Sequence, residues 1–189
     1  MLCALIQALP EWVWTAVKVT PDMHGENESG NDGRIGKAGS QESLPRVFIE
    51  NDRGSQKGTG RYLAAGARRA LLVTVDPEWR GEPLAELDAV LEEGLKSGNL
   101  LVESNRFCGE AEIRLVVTGV TEAEWKQSFH RCVETADALV LTNGMTVADL
   151  PERLQDRRIF VARGEEWAPA ELVKFVQGRL RDRSGSRGS

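Results

Sequence analysis

Four short stretches of this chain carry side chains that could do chemistry. The first is Val17–Glu26, VKVTPDMHGE, with Lys18, Thr20 and His24. Lys18 interrupts an apolar run. A lysine in a buried strand must leave at the strand's end or meet an anion, because an unpaired buried ammonium is costly. At the carboxyl end of a parallel strand it would face the crevice where α/β sheets bind ligands. The alternative is a solvated lysine on an edge position, with His24 an ordinary loop residue. The second stretch is Gly58–Ala67, in GTGRYLAAGARRA, where small and hydroxyl residues precede a helix and Arg61 lies in its first turn. Free N–H groups and the positive dipole end of a helix suit a phosphate. Equally, Thr59 could be a plain N-cap, with Ala64, Ala65 and Gly66 there for close packing.

The third stretch is Glu103-Ser104-Asn105-Arg106, directly after the apolar run LLV. Nucleotide hydrolases hold Mg²⁺ with an acidic residue at the end of a hydrophobic strand, here through water. Glu103 could instead cap the next segment or pair with Arg106. The fourth is Thr142-Asn143-Gly144 after ALVLT. Asn-Gly marks a turn, and a turn at a strand end could touch a base or sugar through Asn143; a plain turn is the alternative. Asp76, Asp137 and Asp149 form no paired-carboxylate pattern. Cys3, Cys108 and Cys132 make no CxxC pair, so neither a zinc site nor a disulfide framework is supported.

Composition narrows the class. The 189 residues carry a formal net charge of -5, which argues against a general nucleic-acid or anionic-membrane binder. The length suits one domain able to bury a core without staples. No apolar stretch reaches the ~18 residues of a membrane span, and the start MLCALIQALP lacks a basic leader. These features predict a cytoplasmic protein.

The elements that must position these residues are legible as two alternating patterns. Near-continuous apolar runs at 15–20, 70–75, 99–103, 113–118, 138–142 and 158–162 read as strands buried on both faces. Helical spacing appears at 2–9, 61–69, 83–96, 121–135, 147–154 and 168–181. Thr121 with Glu124 reads as a capping box. The alternation predicts an α/β fold, a mostly parallel sheet with helices on both faces. One domain is expected over 1–181. A long polar loop spans 21–60 with a short strand at 44–50 inside it, and a low-complexity tail at 182–189 is expected to be disordered.

Taken together, Lys18, the His24 loop, GTGRYLAAGARRALLV and LLVESNR resemble the MobB-like branch of P-loop NTPases, related to molybdopterin-guanine dinucleotide biosynthesis. The resemblance covers about residues 1–145 and is most specific at Arg61–Leu72 and Val102–Asn105. It implies a three-layer P-loop sandwich that binds GTP or ATP with Mg²⁺. Lys18 and His24 would line the nucleotide or substrate crevice; Thr20, Asn105 and Asn143 are further candidate nucleotide- or substrate-binding residues. Thr59 and Arg61 would match the hydroxyl and arginine of the loop before the Ala-Gly-Ala helix. Glu103 would be the catalytic acid, ordering Mg²⁺-bound water.

Two positions depart from that pattern. Gly58 stands where an acid is expected. The phosphate loop G-x-x-x-x-G-K-[ST] is absent, and Leu2–Pro10 looks like the helix that should follow it. The expectation is therefore a chain truncated after the Walker A position, catalytically incomplete, with its first strand and loop encoded upstream. The implied partners are a nucleotide and a molybdenum-cofactor biosynthesis protein, with a homodimer left open. Rival expectations are a non-catalytic Rossmann-like scaffold using the 21–60 loop, and a relative of dethiobiotin-synthetase-type ATP-dependent ligases.

Overall fold

A computed structural model describes residues 1–21, 45–55, 58–79, 85–96, 98–104 and 113–186. His24 and Asn105 lie outside these residues, as does most of the 21–60 loop. The chain is α/β. The strands are β1 (Trp14–Pro21), β2 (Arg46–Ile49), β3 (Arg69–Val75), β4 (Asn99–Glu103), β5 (Leu115–Thr118), β6 (Ala138–Leu141) and β7 (Ile159–Val161). The helices are α1 (Leu2–Ala8), α2 (Gly60–Ala64), α3 (Ala85–Lys96), α4 (Gln127–Glu134) and α5 (Ala170–Ser186).

Every apolar run became a strand within about two residues of its expected ends. The hydrogen bonds divide them into two sheets. One is mixed, in the order β2-β3-β1-β4, with β2 an antiparallel edge and the other pairs parallel. The other is parallel, in the order β5-β6-β7. The first strand of the pair β1–β4 sets Lys18 directly opposite Glu103.

Side-chain alternation then distributes the core. On one face, Trp14 and Ala16 of β1, Ala70 of β3 and Val140 of β6 join one cluster with Leu5, Ile6, Tyr62, Leu172 and Val176. Helices α1, α2 and α5 thus cover a face that both sheets share. On the opposite face the cores are separate. Val17, Val19, Leu71, Val73 and Val75 pack with Trp79 and with Leu87 of α3. Val116, Leu139 and Leu141 pack with Trp125, Cys132 and Val133 around α4. A seam therefore runs between the sheets on the α3/α4 side.

The helices differ from expectation where tertiary demands win. The 61–69 helix ends at Ala64, because Gly66 adopts φ 112°, the left-handed conformation that terminates helices, and Arg69 starts β3. Thr121 makes no side-chain cap. The 121–135 segment is a 3₁₀ turn at Glu122–Glu124, then α4. Between them Trp125 is extended and buried, its indole N–H shared between Thr118 Oγ1 at 3.2 Å and the Val120 carbonyl at 3.0 Å. A capping box does occur, at Thr146 and Asp149. The 147–154 segment is two 3₁₀ turns, Val147–Asp149 and Glu152–Leu154, separated by Pro151. Helix α5 runs past Arg181 to Ser186, five residues into the expected tail. Among the described residues no helix is long and apolar enough to cross a membrane.

Candidate functional site

The carboxyl ends of β1, β3 and β4 open into a crevice of about 310 Å³. Its lining includes Lys18, Thr20, Trp79, Glu103, Ser104 and Lys126. Strand β1 is flanked on both sides, by β3 and β4. Lys18 is thus on an interior strand and not on an edge, and it meets the obligation of a half-buried ammonium by pairing. Its Nζ lies 3.1 Å from Glu103 Oε1. Arg61 of α2 donates from Nη2 to Glu103 Oε2 at 2.9 Å. The Tyr62 hydroxyl donates to the same oxygen, and Arg61 also donates to that hydroxyl at 3.2 Å.

The electrostatics follow from this crowding. Burial would raise the Glu103 carboxyl, but the bonds from Tyr62 and Lys18 and the charges of Lys18 and Arg61 prevail. They hold it below the ordinary carboxylate value. Burial, and the bond it donates to Glu103, push the Tyr62 hydroxyl well above the ordinary phenol value. Its bond with Tyr62 raises the Arg61 guanidinium further. These three groups therefore keep their present protonation through the neutral range: a carboxylate, a guanidinium cation and a neutral phenol.

Local sequence explains how α2 delivers Arg61 and Tyr62. Glu50, just past β2, accepts the backbone N–H groups of Asn51 and Asp52, each at 3.0 Å, on Oε1. Its Oε2 accepts the Thr59 hydroxyl at 3.1 Å. Thr59 is buried and its side chain makes no helix cap. It ties the loop down and is not among the crevice-lining residues. Gly60 lets Ser55 lie against the first turn, since a Cβ there would come within 2.5 Å of Ser55 Cβ. Tyr62 is wholly buried against Leu5, Ile6 and Leu63.

Asn143 sits elsewhere, beyond the carboxyl end of β6 at φ 53°. Its Nδ2 lies 3.5 Å from the Gly119 carbonyl in the loop after β5. It does not line the crevice. Of the residues singled out in the sequence, Lys18, Arg61 and Glu103 come into direct contact, and Thr20 lines the same crevice. Pairing of Glu103 with Arg106 falls outside the described residues.

Sequence reasoning missed Tyr62, Trp79, Lys126 and Ser128, whereas Ser104 lies in the stretch singled out after β4. Tyr62 is the single tyrosine of the chain and follows Arg61, a signal within reach. Lys126 was concealed inside a segment read as one helix. It is in fact the residue before α4, on the extended step out of Trp125.

Among the described residues no group of three His, Cys, Asp or Glu could hold a metal ion. Glu103 is the carboxylate lining the crevice, and both its oxygens are held by donors. A Mg²⁺ ligated directly by Glu103 would have to compete with these donors for the carboxylate oxygens. What the arrangement offers is positive charge and hydroxyls at the ends of parallel strands, the chemistry of anion recognition. Compared with protein-family models, with curated proteins and with solved structures, the chain has no significant match.

Proposed function

We propose that the chain binds a nucleotide, GTP or ATP, by its phosphates in the crevice at the ends of β1, β3 and β4. In this reading the fold is P-loop-NTPase-like and MobB-related, and serves molybdenum-cofactor biosynthesis. The observation that carries it is a charge surplus. Among the described residues, Lys18 and Arg61 pair with Glu103, and Lys126 lines the same crevice, in a chain whose net charge is -5. A local surplus against the global sign is what an anionic ligand would exploit. Lys18 would turn from Glu103 toward a phosphate while Arg61 and Tyr62 keep the carboxylate in place. Mg²⁺ belongs in this reading to the nucleotide's own phosphates. Asn143, at the neighbouring strand end, is the proposed base contact.

Binding is proposed without hydrolysis. Phosphoryl transfer rests on positioning and charge neutralisation around the β- and γ-phosphates, much of which a Walker A loop and its lysine supply. These 189 residues contain no such loop. Calorimetric titration with Mg·GTP and Mg·ATP tests the reading. Binding that Lys18→Met weakens about tenfold, the loss of one charge-assisted hydrogen bond, supports it. No heat from either nucleotide at millimolar concentration rejects it. Proteolysis that is unchanged by nucleotide would favour the scaffold alternative.

A further inference from the structure

The crevice is built from both sides of the seam between the sheets. Lys18, Val19, Thr20 and Pro21 come from β1, and Val75 and Glu103 from β3 and β4. Lys126 and Ser128 come from the start of α4, which belongs to the other sheet's core. The sheets share a core on the α1/α2/α5 face. On the α3/α4 face their cores stay apart, and among the described residues no strand of one sheet pairs with a strand of the other. The crevice lies at the end of that seam. Its apolar part is Val19, Val75 and Trp79. Its cations are Lys18, from β1, and Lys126, from the residue before α4. Lys18 is already paired with Glu103, whereas Lys126 has no ion-pair partner among the described residues.

We infer that the crevice takes a diphosphate group, one phosphate held by Lys18 and the other by Lys126 with Ser128, so that the ligand clamps the two sheets together. This inference rests on the anionic-ligand reading above and specifies its substrate class. A diphosphate gives each lysine a phosphate of its own, whereas a single phosphate would have to be shared between them. The available volume is about 310 Å³. A diphosphate occupies part of it and leaves room for an organic group against Trp79. Free pyrophosphate and the diphosphate of a nucleotide share this chemistry. Because the ligand bridges the seam, occupancy stabilises the docking of the sheets and raises the unfolding temperature by mass action.

The test is calorimetric titration of inorganic phosphate, inorganic pyrophosphate and Mg·GTP into the full chain and into Lys18→Met, Lys126→Met and Ser128→Ala. Lys126 is exposed, so its variant should fold, which circular dichroism and the unfolding midpoint verify. The expected result is pyrophosphate at least tenfold tighter than phosphate. Lys126→Met should weaken pyrophosphate about tenfold and leave phosphate nearly unchanged, the loss of one charge-assisted contact. Ser128→Ala should weaken it by about threefold. If Lys126→Met binds pyrophosphate like the parent, or if phosphate binds as tightly as pyrophosphate, the two-sided clamp is wrong. The nucleotide reading still stands in that case, provided Lys18→Met loses Mg·GTP. If pyrophosphate binds through Lys126 while Mg·GTP does not bind, the clamp stands and the nucleotide reading falls. If none of the three ligands binds, both fall.

Discussion

The two sheets finish their strands in opposite chemical styles. At the carboxyl end of β1 and β4, charges meet: Lys18 and Arg61 on Glu103, with Tyr62 completing the carboxylate's shell. At the carboxyl end of β5 and β6, neutral groups meet. The Thr142 hydroxyl donates to the Thr118 carbonyl at 3.1 Å, the Thr118 hydroxyl to the Val120 carbonyl at 2.8 Å, and Trp125 adds its indole N–H. Gly119 permits the second arrangement, since a Cβ there would come within 2.5 Å of Asn143 Nδ2. Neutral groups that satisfy one another carry little penalty for burial. A cluster of charges carries a large one and depends on every member. The first end should therefore be fragile to single substitutions and sensitive to pH, and the second robust.

The largest effect is expected at Tyr62, which joins the charged end to the shared core. Tyr62→Ala empties a fully buried aromatic site and should cost about 3–5 kcal/mol in urea unfolding. Tyr62→Phe keeps the packing and removes the donor to Glu103, at about 1–1.5 kcal/mol. If the two variants lose the same amount, packing is not what Tyr62 contributes. The raised Tyr62 hydroxyl also fixes a sign at high pH. The unfolded chain ionises its tyrosine near pH 10 and the folded chain does so only above that. Stability from this group is complete below pH 10 and declines above it, and Tyr62→Phe should remove that decline.

Glu103→Gln should follow in size. Removing one partner from a fully buried ion pair costs about 3–5 kcal/mol, and with the Glu103 side chain 33% exposed we expect about 2 kcal/mol. The folded carboxyl sits below its ordinary value of 4.5. Its stabilising contribution is therefore present above pH 4.5 and fades as the pH falls through the folded value. Unfolding midpoints between pH 7 and pH 3 should converge for the parent and Glu103→Gln. Parallel curves would show that Glu103 is not what the acid limb reports.

Much of this contrast was legible in the sequence, though unequally. The strands were, because a run such as ALVL has no polar residue to turn toward water, and burial on both faces follows. Lys18 and Glu103 stood out for the complementary reason: Lys18 interrupts such a run and Glu103 ends one, and parallel pairing in register makes them partners. Helix lengths were less legible. Gly66 and Trp125 ended or interrupted helices for the sake of a left-handed backbone and a buried indole, and local propensity does not encode the depth of the core. The second wall of the crevice was not legible at all. Lys126 is one lysine among many until two elements far apart in the chain are folded together.

At the neutral end, Thr142→Val should cost only about 1 kcal/mol. It removes one buried hydroxyl bond but leaves the Thr118 carbonyl accepting the Thr142 backbone N–H at 2.9 Å. A loss as large as that of Glu103→Gln would erase the distinction between the two ends.

The smallest effect on stability is expected at Asn143, and it separates backbone from side chain. At φ 53° the residue occupies the left-handed region, which asparagine tolerates and glycine adopts freely. Asn143→Gly accepts the same turn and gives up only the 3.5 Å contact with the Gly119 carbonyl, so stability should stay within about 0.5 kcal/mol of the parent. Asn143→Val forces a β-branched side chain into that region and should cost about 1–2 kcal/mol. A side chain kept for its turn alone would leave nucleotide binding untouched in Asn143→Gly. One that reads a base would leave pyrophosphate affinity unchanged while the ratio of Mg·GTP to Mg·ATP affinity collapses toward one. The glycine variant thus asks whether the neutral end of the molecule chooses the ligand that the charged end holds.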